Sequence, residues 1–424
     1  MLSIASLAAI VLLLAAILSR RRDRVAIVWA GTPILNVKYW SLAIQEAGWV
    51  SSTVVSTVYT TINKRDDYDH VYDDLVPRIV PGRALRGLIA PYAAFRHVLR
   101  NAALVHLSFD GGPLGGTPLW RWEAPLLRHA GVRTVAIPYG GDIFVLSRLT
   151  DPSVKDGLLR SYPQAGRRDR EIARRVDYWS RYADLIIVGF ALDGLPRWDV
   201  VAGNMVVIDT EQWTSRCAWS RADGTGRDPV RVLHTPNHRG AKGTAFIEAA
   251  VESLRTEGLN VDLVLAEGMQ NEQMRELMLA ADILADQLIL PGYGLAAIEG
   301  MAAGLPVVCN LEHPGHTELL DRRSFLSECP VVTASPETFR AALRALLANP
   351  ALREQLGRAG RAYTVKYHSY AAAQYLFGSV YERLLRGADV DLSAPFDPLS
   401  SPFNRRAPTI EHPLVDHRLS ATES

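Results

Sequence analysis

The chain has 424 residues, 48% hydrophobic and 21% charged, with 46 Lys+Arg set against 45 Asp+Glu. That length exceeds one hydrophobic core and predicts two domains, while a net charge of +1 lacks the basic field of a nucleic-acid binder. Cys217, Cys309 and Cys329 stand far apart with no CxxC or Cys/His cluster, so neither a disulfide framework nor a zinc site is indicated, and a reducing compartment fits.

Leu2 to Ser19, LSIASLAAIVLLLAAILS, carries no charge and runs straight into RRRDR. Its length is at the short end for a membrane span. A cleaved signal peptide would want basic residues before the apolar run and a small-residue cleavage site after it, whereas here the arginines follow. By the positive-inside rule Arg20, Arg21, Arg22 and Arg24 stay cytoplasmic. The expectation is a transmembrane anchor over residues 2–19 of a single-pass cell-membrane protein whose domains are cytoplasmic. A signal peptide or an interfacial helix is the alternative.

RVAIVWAG (24–31) reads as a buried parallel strand, followed by a helical stretch around 39–47 and a second strand in WVSSTVVST. ALVHLSF (103–109), RTVAIPYGGD (133–142), ADLIIVGF (183–190) and NMVVIDT (204–210) repeat the pattern of strand and loop. Strands alternating with helices predict βαβ units on a parallel sheet. The chain turns polar and glycine-containing over 214–229, which predicts a linker between an N-terminal Rossmann-like domain (24–213) and a second one (230–368). In the second, VRVLHTP, VDLVLAEG, DILADQLIL and CPVVTAS are strands and GTAFIEAAVESLRTEG and NEQMRELMLAA are helices. PETFRAALRALLANPALREQLGRAGRAYTVKY and SYAAAQYLFGSVYERLL are helical by apolar spacing. Residues 388–424 are Pro/Ser/Asp-rich and aperiodic, which predicts a disordered tail.

Two doubly wound α/β domains in series can set the loops at their strand C-termini on one cleft, where such sheets bind ligands. One such loop is PGYGLAAIEG. Gly292, Tyr293 and Gly294 allow close backbone approach, and the helix starting near Leu295 turns its N–H groups and positive dipole end outward, an anion site suited to a diphosphate. Glu299, one turn in, suits a pair of neighbouring hydroxyls such as a ribose diol. The plainer reading is a tight turn with Glu299 complementing the helix N-terminus. A second loop, HTPNHRGAKGT, follows a strand and carries Asn237, His238, Arg239 and Lys242. Two cations there would neutralise charge building up on a leaving diphosphate; the plainer reading is a solvated basic loop.

With HTPNHRGAKGT, AADILADQLILPGYGLAAIEGMAAGLPVV, YADLIIV and LREQLGRAGRAYTVKYHS the chain resembles the GT-B-fold, family-4-like glycosyltransferases that use nucleotide sugars, in a bacterial branch. The resemblance runs from about Val25 to Leu385. It implies two Rossmann-like domains facing a cleft, Lys242 and a nearby basic residue on the donor diphosphate, Glu299 on the donor ribose and the 292–295 loop on phosphate or sugar. The family's first glutamate, eight positions before Glu299, is here Pro291, with Asp286 and Gln287 as substitute polar contacts. The family's arginine, five positions before Lys242, is here Asn237, with Arg239 as substitute. PYGGDI resembles the family's HG-x-D loop near the reacting sugar: Tyr139 stands at the histidine, Gly140 and Gly141 follow, and Asp142 would orient a hydroxyl or serve as a weak base, or simply cap a helix. Gly31, Thr32 and Asn36 in the first loop would approach the diphosphate or the acceptor. The last helix, 369–387, is implied to cross back to the N-terminal domain.

His106 within an apolar strand reads as a core residue, and the Asp-x-Asp of Asp67 and Asp69 as a solvated loop, so no catalytic metal and no cofactor beyond the sugar donor are expected. The expected activity is hexosyl transfer with retention, from a nucleotide diphosphate sugar to a glycan or lipid-linked acceptor, as in the biosynthesis of a surface polysaccharide or glycolipid at the membrane. The alternatives are a nucleotide-sugar 2-epimerase, which would carry more cleft carboxylates and histidines, and a non-catalytic GT-B-like membrane scaffold, which Pro291 and Tyr139 favour. A dinucleotide oxidoreductase lacks its GxGxxG after the first strand.

Overall fold

The computed structural model describes residues 4–19, 24–59, 63–190, 192–203, 205–269 and 271–418. In chain order its elements are α1 (Ile4–Ser19), β1 (Ala26–Gly31), α2 (Leu35–Glu46), β2 (Ser51–Val55), β3 (His70–Val71), α3 (Arg83–Asn101), β4 (Ala102–Leu107), α4 (Glu123–Ala130), β5 (Arg133–Ala136), α5 (Pro152–Ser161), α6 (Ala165–Tyr182), β6 (Leu185–Val188) and β7 (Val200–Val201). They continue with β8 (Val230–His234), α7 (Arg239–Lys242), α8 (Thr244–Thr256), β9 (Val261–Leu265), α9 (Asn271–Ala280), β10 (Ile283–Ala285), α10 (Leu295–Ala302), β11 (Val307–Cys309), α11 (Pro314–Arg323), β12 (Val332–Thr333), α12 (Phe339–Ala348), α13 (Pro350–Tyr367) and α14 (Tyr370–Arg386).

The chain divides into two compact units. Unit 1 holds Met1–Val145, Asp169–Val201 and Ala373–Ser393 around an all-parallel sheet of order β3-β2-β1-β4-β5-β6-β7. Its strands are short runs of buried Ile, Val, Leu and Ala, as expected when both faces of a parallel sheet are covered. The core is aromatic where α14 joins it: Trp29 stacks on His106 at 3.8 Å and meets Phe377 edge-on at 5.0 Å, and His106 Nε2 lies 2.9 Å from the Tyr381 hydroxyl. His106 is thus a core residue of unit 1. Asp67 pairs with Lys38 at 2.6 Å, and Asp69 accepts from the Thr53 amide and hydroxyl at 2.8 and 3.0 Å.

Unit 2 holds Leu146–Arg168, Ala202–Ala372 and Ala394–Ser424, with a parallel sheet of order β12-β11-β10-β8-β9. Its core runs from Val230, Val232 and Ile283 on the sheet to Ile247, Val251 and Leu254 of α8 and Leu343 and Leu346 of α12. The 146–168 segment reads in sequence as part of the first domain. It belongs to unit 2 because α5 packs on α7 through two glycines: a Cβ on Gly157 would lie 2.5 Å from the Ile289 side chain, and one on Gly240 2.7 Å from Arg160 Cβ. The strand expected over 204–210 does not form among the described residues.

Two further expectations change. The apolar N-terminal run forms α1, of 16 residues, which packs against α3 and α4 and buries Leu12 and Ala16. No helix among the described residues is long and apolar enough to cross a membrane, so a spanning anchor over 2–19 is not supported; Leu2, Ser3 and Arg20–Arg22 lie outside the described residues. Arg24 donates to the carbonyls of Leu99 (2.9 Å) and Ala130. The tail expected to be disordered is packed for much of its length. Phe396 and Phe403 are buried, edge to face at 5.3 Å, Asn404 donates to the Phe396 carbonyl at 2.9 Å, and Ser401 to that of Pro395 at 2.6 Å. Aromatic anchors and side-chain-to-backbone bonds order it, and neither leaves a period in the sequence.

The tail is held at a buried ion pair. Glu328 accepts from Lys366 Nζ at 2.8 and 3.1 Å, from the Tyr367 hydroxyl at 2.7 Å and from the Ile410 amide at 3.0 Å. Both charged residues are under a tenth exposed, so removing one strands the other away from water. Glu328→Ala is expected to cost about 3 kcal/mol of unfolding free energy, read by urea denaturation, and to expose the chain after Gly387 to limited proteolysis.

Candidate active site

In unit 2 the sheet order reverses between β8 and β10, since β9 lies on one side of β8 and β10 on the other. Loops leaving the C-termini of two such strands diverge and open a crevice, the usual ligand seat of an open parallel sheet. His234 pairs in register with Ala285, so the loops after β8 and β10 begin level with each other. These are the loops that carry Lys242 and Asp286.

Lys242 and Asp286 form a buried ion pair, 8% and 1% exposed, Nζ donating to Oδ1. The other carboxylate oxygen, Oδ2, lies 3.4 Å from the amide of Gly294, the N-cap of α10. One carboxylate therefore gathers a lysine ammonium and the positive end of a helix. The backbone repeats the connection, with the Leu288 amide donating to the Lys242 carbonyl at 3.0 Å and the Leu290 amide to that of Ala241 at 3.1 Å. Glu299 follows in the second turn of α10, 4% exposed.

The glycine loop is held from behind. Gln287 donates to the carbonyls of Gly292 (2.9 Å) and Leu290 (3.3 Å), and the Gly292 amide donates to Asn310 at 2.8 Å. Gly292 has φ +90°, the left-handed region where glycine is at ease. Tyr293 does not face outward: it is 3% exposed, and its hydroxyl lies 2.6 Å from that of Tyr363 and 3.1 Å from His368 Nε2. Its role is to pin the loop. Gly294 differs again, with φ −111° and no atom within 4 Å of where a Cβ would lie. Neither conformation nor packing within the chain asks for glycine there, and Leu295 beside it is half-buried.

Arg239 stands apart from Lys242. Its exposed guanidinium is bidentate on Glu267 at 2.9 and 3.0 Å and reaches Glu248 at 3.3 Å, partners that its local sequence does not announce. Asn237 is exposed, and the His238 ring packs on Tyr162 at 4.3 Å. Sequence reasoning also missed His234. It is fully buried, with Nδ1 2.7 Å from the Ala285 carbonyl and Nε2 2.9 Å from the Thr244 hydroxyl. A carbonyl only accepts, so Nδ1 carries the proton and Nε2 accepts from Thr244. The ring joins β8, β10 and α8 behind the Lys242 loop.

In unit 1 the order reverses between β1 and β4, and the loops there are fastened by buried acids. Asp142, 2% exposed, accepts from the amides of Phe109 (2.9 Å), Tyr139 and Gly140 (both 3.0 Å). Burial pushes it up to about 7, with Asp110 adding to the effect. With three backbone donors on it, Asp142 is a fastener of the 138–142 loop. Glu123, unflagged by any motif, does the same for the neighbouring loop: it accepts from Gly112 and Leu114 at 3.1 and 3.0 Å, and burial raises it to about 7. Tyr139 donates its hydroxyl to Asp110 at 2.5 Å. Gly31 has φ +106°, and a Cβ there would lie 2.7 Å from the Gly111 carbonyl, so the first loop is pressed on the second. Thr32 reaches Ser108 at 3.4 Å. A small pocket between these loops is lined by Trp29, Thr32, Trp40, His106, Ser108 and Tyr139. Asn36 is buried in α2, and a Cβ on Gly141 would lie 3.9 Å from the Tyr139 ring. Among the described residues no cluster of three His, Cys, Asp or Glu could hold a metal ion.

Residues 248–363 match the family model described as Glycosyl transferases group 1, a span that includes Asp286, the glycine loop and Glu299. No curated protein sequence matches the chain. Among solved structures, sucrose-phosphate synthase from Thermosynechococcus elongatus superposes with a TM-score of 0.56 at 17% identity, covering 87% of this chain and 100% of that one. The catalytic domain of Starch Synthase IV from Arabidopsis thaliana, bound to ADP and acarbose, does so with a TM-score of 0.54 at 11% identity, covering 86% and 100%. The shared feature is the fold, two parallel-sheet α/β domains of GT-B type.

Burial pushes His234 down from 6.5 to about 4. The unfolded chain takes up this proton near pH 6.5 and the folded protein only near pH 4. The group's stabilising contribution is therefore complete above pH 6.5 and is lost as pH falls toward 4, by about 3 kcal/mol. Asp142 and Glu123 titrate in an overlapping window with the opposite sign, so the comparison must be with a variant. His234→Asn keeps a donor for Ala285 and removes the titration. Its denaturation midpoint should fall less steeply between pH 6.5 and 4.5 than that of the wild type.

Proposed function

We propose that the protein is a retaining glycosyltransferase that moves a sugar from a nucleotide diphosphate sugar to a glycan or lipid-linked acceptor at the cytoplasmic face of a membrane. The observation that carries the reading is the convergence of Lys242 Nζ and the Gly294 amide on one carboxylate. Donors already arranged around an anion can hold a phosphate, and Asp286 keeps the lysine extended toward the α10 N-terminus. The leaving diphosphate is then stabilised by Lys242 and by the first amides of α10 as its charge develops. Glu299 grips the ribose hydroxyls. The group 1 match over 248–363 supports this assignment.

Arg239, held by Glu267 and Glu248, is given no part in the chemistry. Asp142 positions the 138–142 loop, with Tyr139, Gly140 and Gly141 on the acceptor side, and Gly31, Thr32 and Asn36 complete the unit 1 loops. No side chain is assigned as a nucleophile; the departing diphosphate takes the acceptor proton. A second reading, a non-catalytic scaffold at the membrane, is favoured by Pro291 at the family's first glutamate and by the engagement of Arg239.

Donor hydrolysis and sugar transfer by purified protein decide between them. Lys242→Ala should lower turnover by about 100-fold or more, with circular dichroism confirming that the variant folds. Equal background release from wild type and variant supports the scaffold. Gly294→Ala is the complementary test. It should change stability by about 1 kcal/mol or less, yet weaken nucleoside diphosphate binding by about tenfold, because the added methyl group fills the approach to the α10 amides. Thermal shift against nucleoside diphosphate concentration reads both.

A further inference from the structure

We infer that α1 is an in-plane docking helix, and that its outward face, with the arginines that follow it, seats unit 1 on an anionic lipid surface. The inference deepens the membrane part of the reading above and rests on it.

The helix has two faces. Leu12, Ala16 and Ser19, spaced for one side of a helix, are at most 1% exposed, turned to α3 and α4. Val11, Leu13, Leu14, Ile17 and Leu18 are 45 to 71% exposed. A row of large aliphatic side chains left open on a helix already backed by protein is an interaction surface. The 16 described residues of α1 cover about 24 Å, against a hydrocarbon core of about 30 Å. To span, it would also have to strip Leu12 and Ala16 from α3 and α4. Lying flat it keeps those contacts and places its open side chains at the depth where interfacial helices bury their apolar faces.

Charge selects the occupant. Three consecutive arginines, Arg20, Arg21 and Arg22, follow the apolar face, and Leu2–Ser19 carries no charge of its own. A second copy of this face offers no counter-charge to them, whereas anionic headgroups do. α3, which packs on α1, also carries exposed Arg83, Leu85 and Leu88 in its first two turns.

The test uses the full chain and vesicle sedimentation. Wild type should sediment with phosphatidylglycerol/phosphatidylcholine vesicles, weakly with phosphatidylcholine alone, and less as salt rises. Bound protein should be released by alkaline carbonate. Leu14→Asp/Leu18→Asp, both at exposed positions, should cut partition into anionic vesicles by about tenfold or more. The same variant should keep its thermal shift with nucleoside diphosphate, so that loss of docking and failure of the donor reading are told apart. Arg20→Ser/Arg21→Ser/Arg22→Ser should abolish the preference for anionic lipid. Undiminished partition of either variant overturns the inference, as does carbonate-resistant wild type, which would mean a spanning helix. So does a wild type that ignores vesicles and dimerises by light scattering through the same leucines.

Discussion

A lysine ammonium and a carboxylate removed from water together hold each other in place, because either one alone would carry a large desolvation penalty. The Lys242–Asp286 pair imposes that condition at the point where the unit 2 sheet reverses its strand order. Once it is met, the loop after β8 cannot drift from the loop after β10, and α10 must begin beside both. Gln287 and Tyr293 then act from behind, the first through the carbonyl of Gly292 and the second through a buried hydroxyl cluster with Tyr363 and His368. In front, no atom lies within 4 Å of where a Gly294 Cβ would be. A rigid back and an open front are what a site needs if backbone amides are to do the binding.

Unit 1 solves the same problem with acids instead of an ion pair. Asp142 and Glu123 each bring two or three amides together, and each is raised to about 7 by its own burial. Asp142 ties the loop after β5 to Phe109 in the loop after β4, and Glu123 of α4 holds Gly112 and Leu114 of that second loop, while Gly31 lets the loop after β1 press on it through backbone.

Much of this was legible in the sequence. Alternating β-branched runs and amphipathic stretches placed most strands and the long helices of the C-terminal half, though not α3 or α6, and glycine and basic loops at strand ends marked the places where the sheets reverse. What escaped had no local signature. Nothing near Arg239 reveals Glu267, which is 28 positions away. Glu123 lies in LWRWEAPLL, where a carboxylate reads as solvated, and only the fold turns it inward. The 146–168 stretch joins unit 2 through the close approach of α5 and α7 at Gly157 and Gly240, a contact between positions 83 residues apart. The tail is ordered by single aromatics, and α1 buries only small or isolated positions, so its apolar composition alone resembles a span.

Unit 1 is assembled from three separate lengths of chain, the last of them Ala373–Ser393. Phe377 and Tyr381 complete the aromatic core around Trp29 and His106. During synthesis, then, the N-terminal sheet leaves the ribosome first but lacks its final helix until Arg386 has been added. Its Trp29 face must wait uncovered for that interval, and a fragment cut at any single point between the two sheets would keep the face bare permanently.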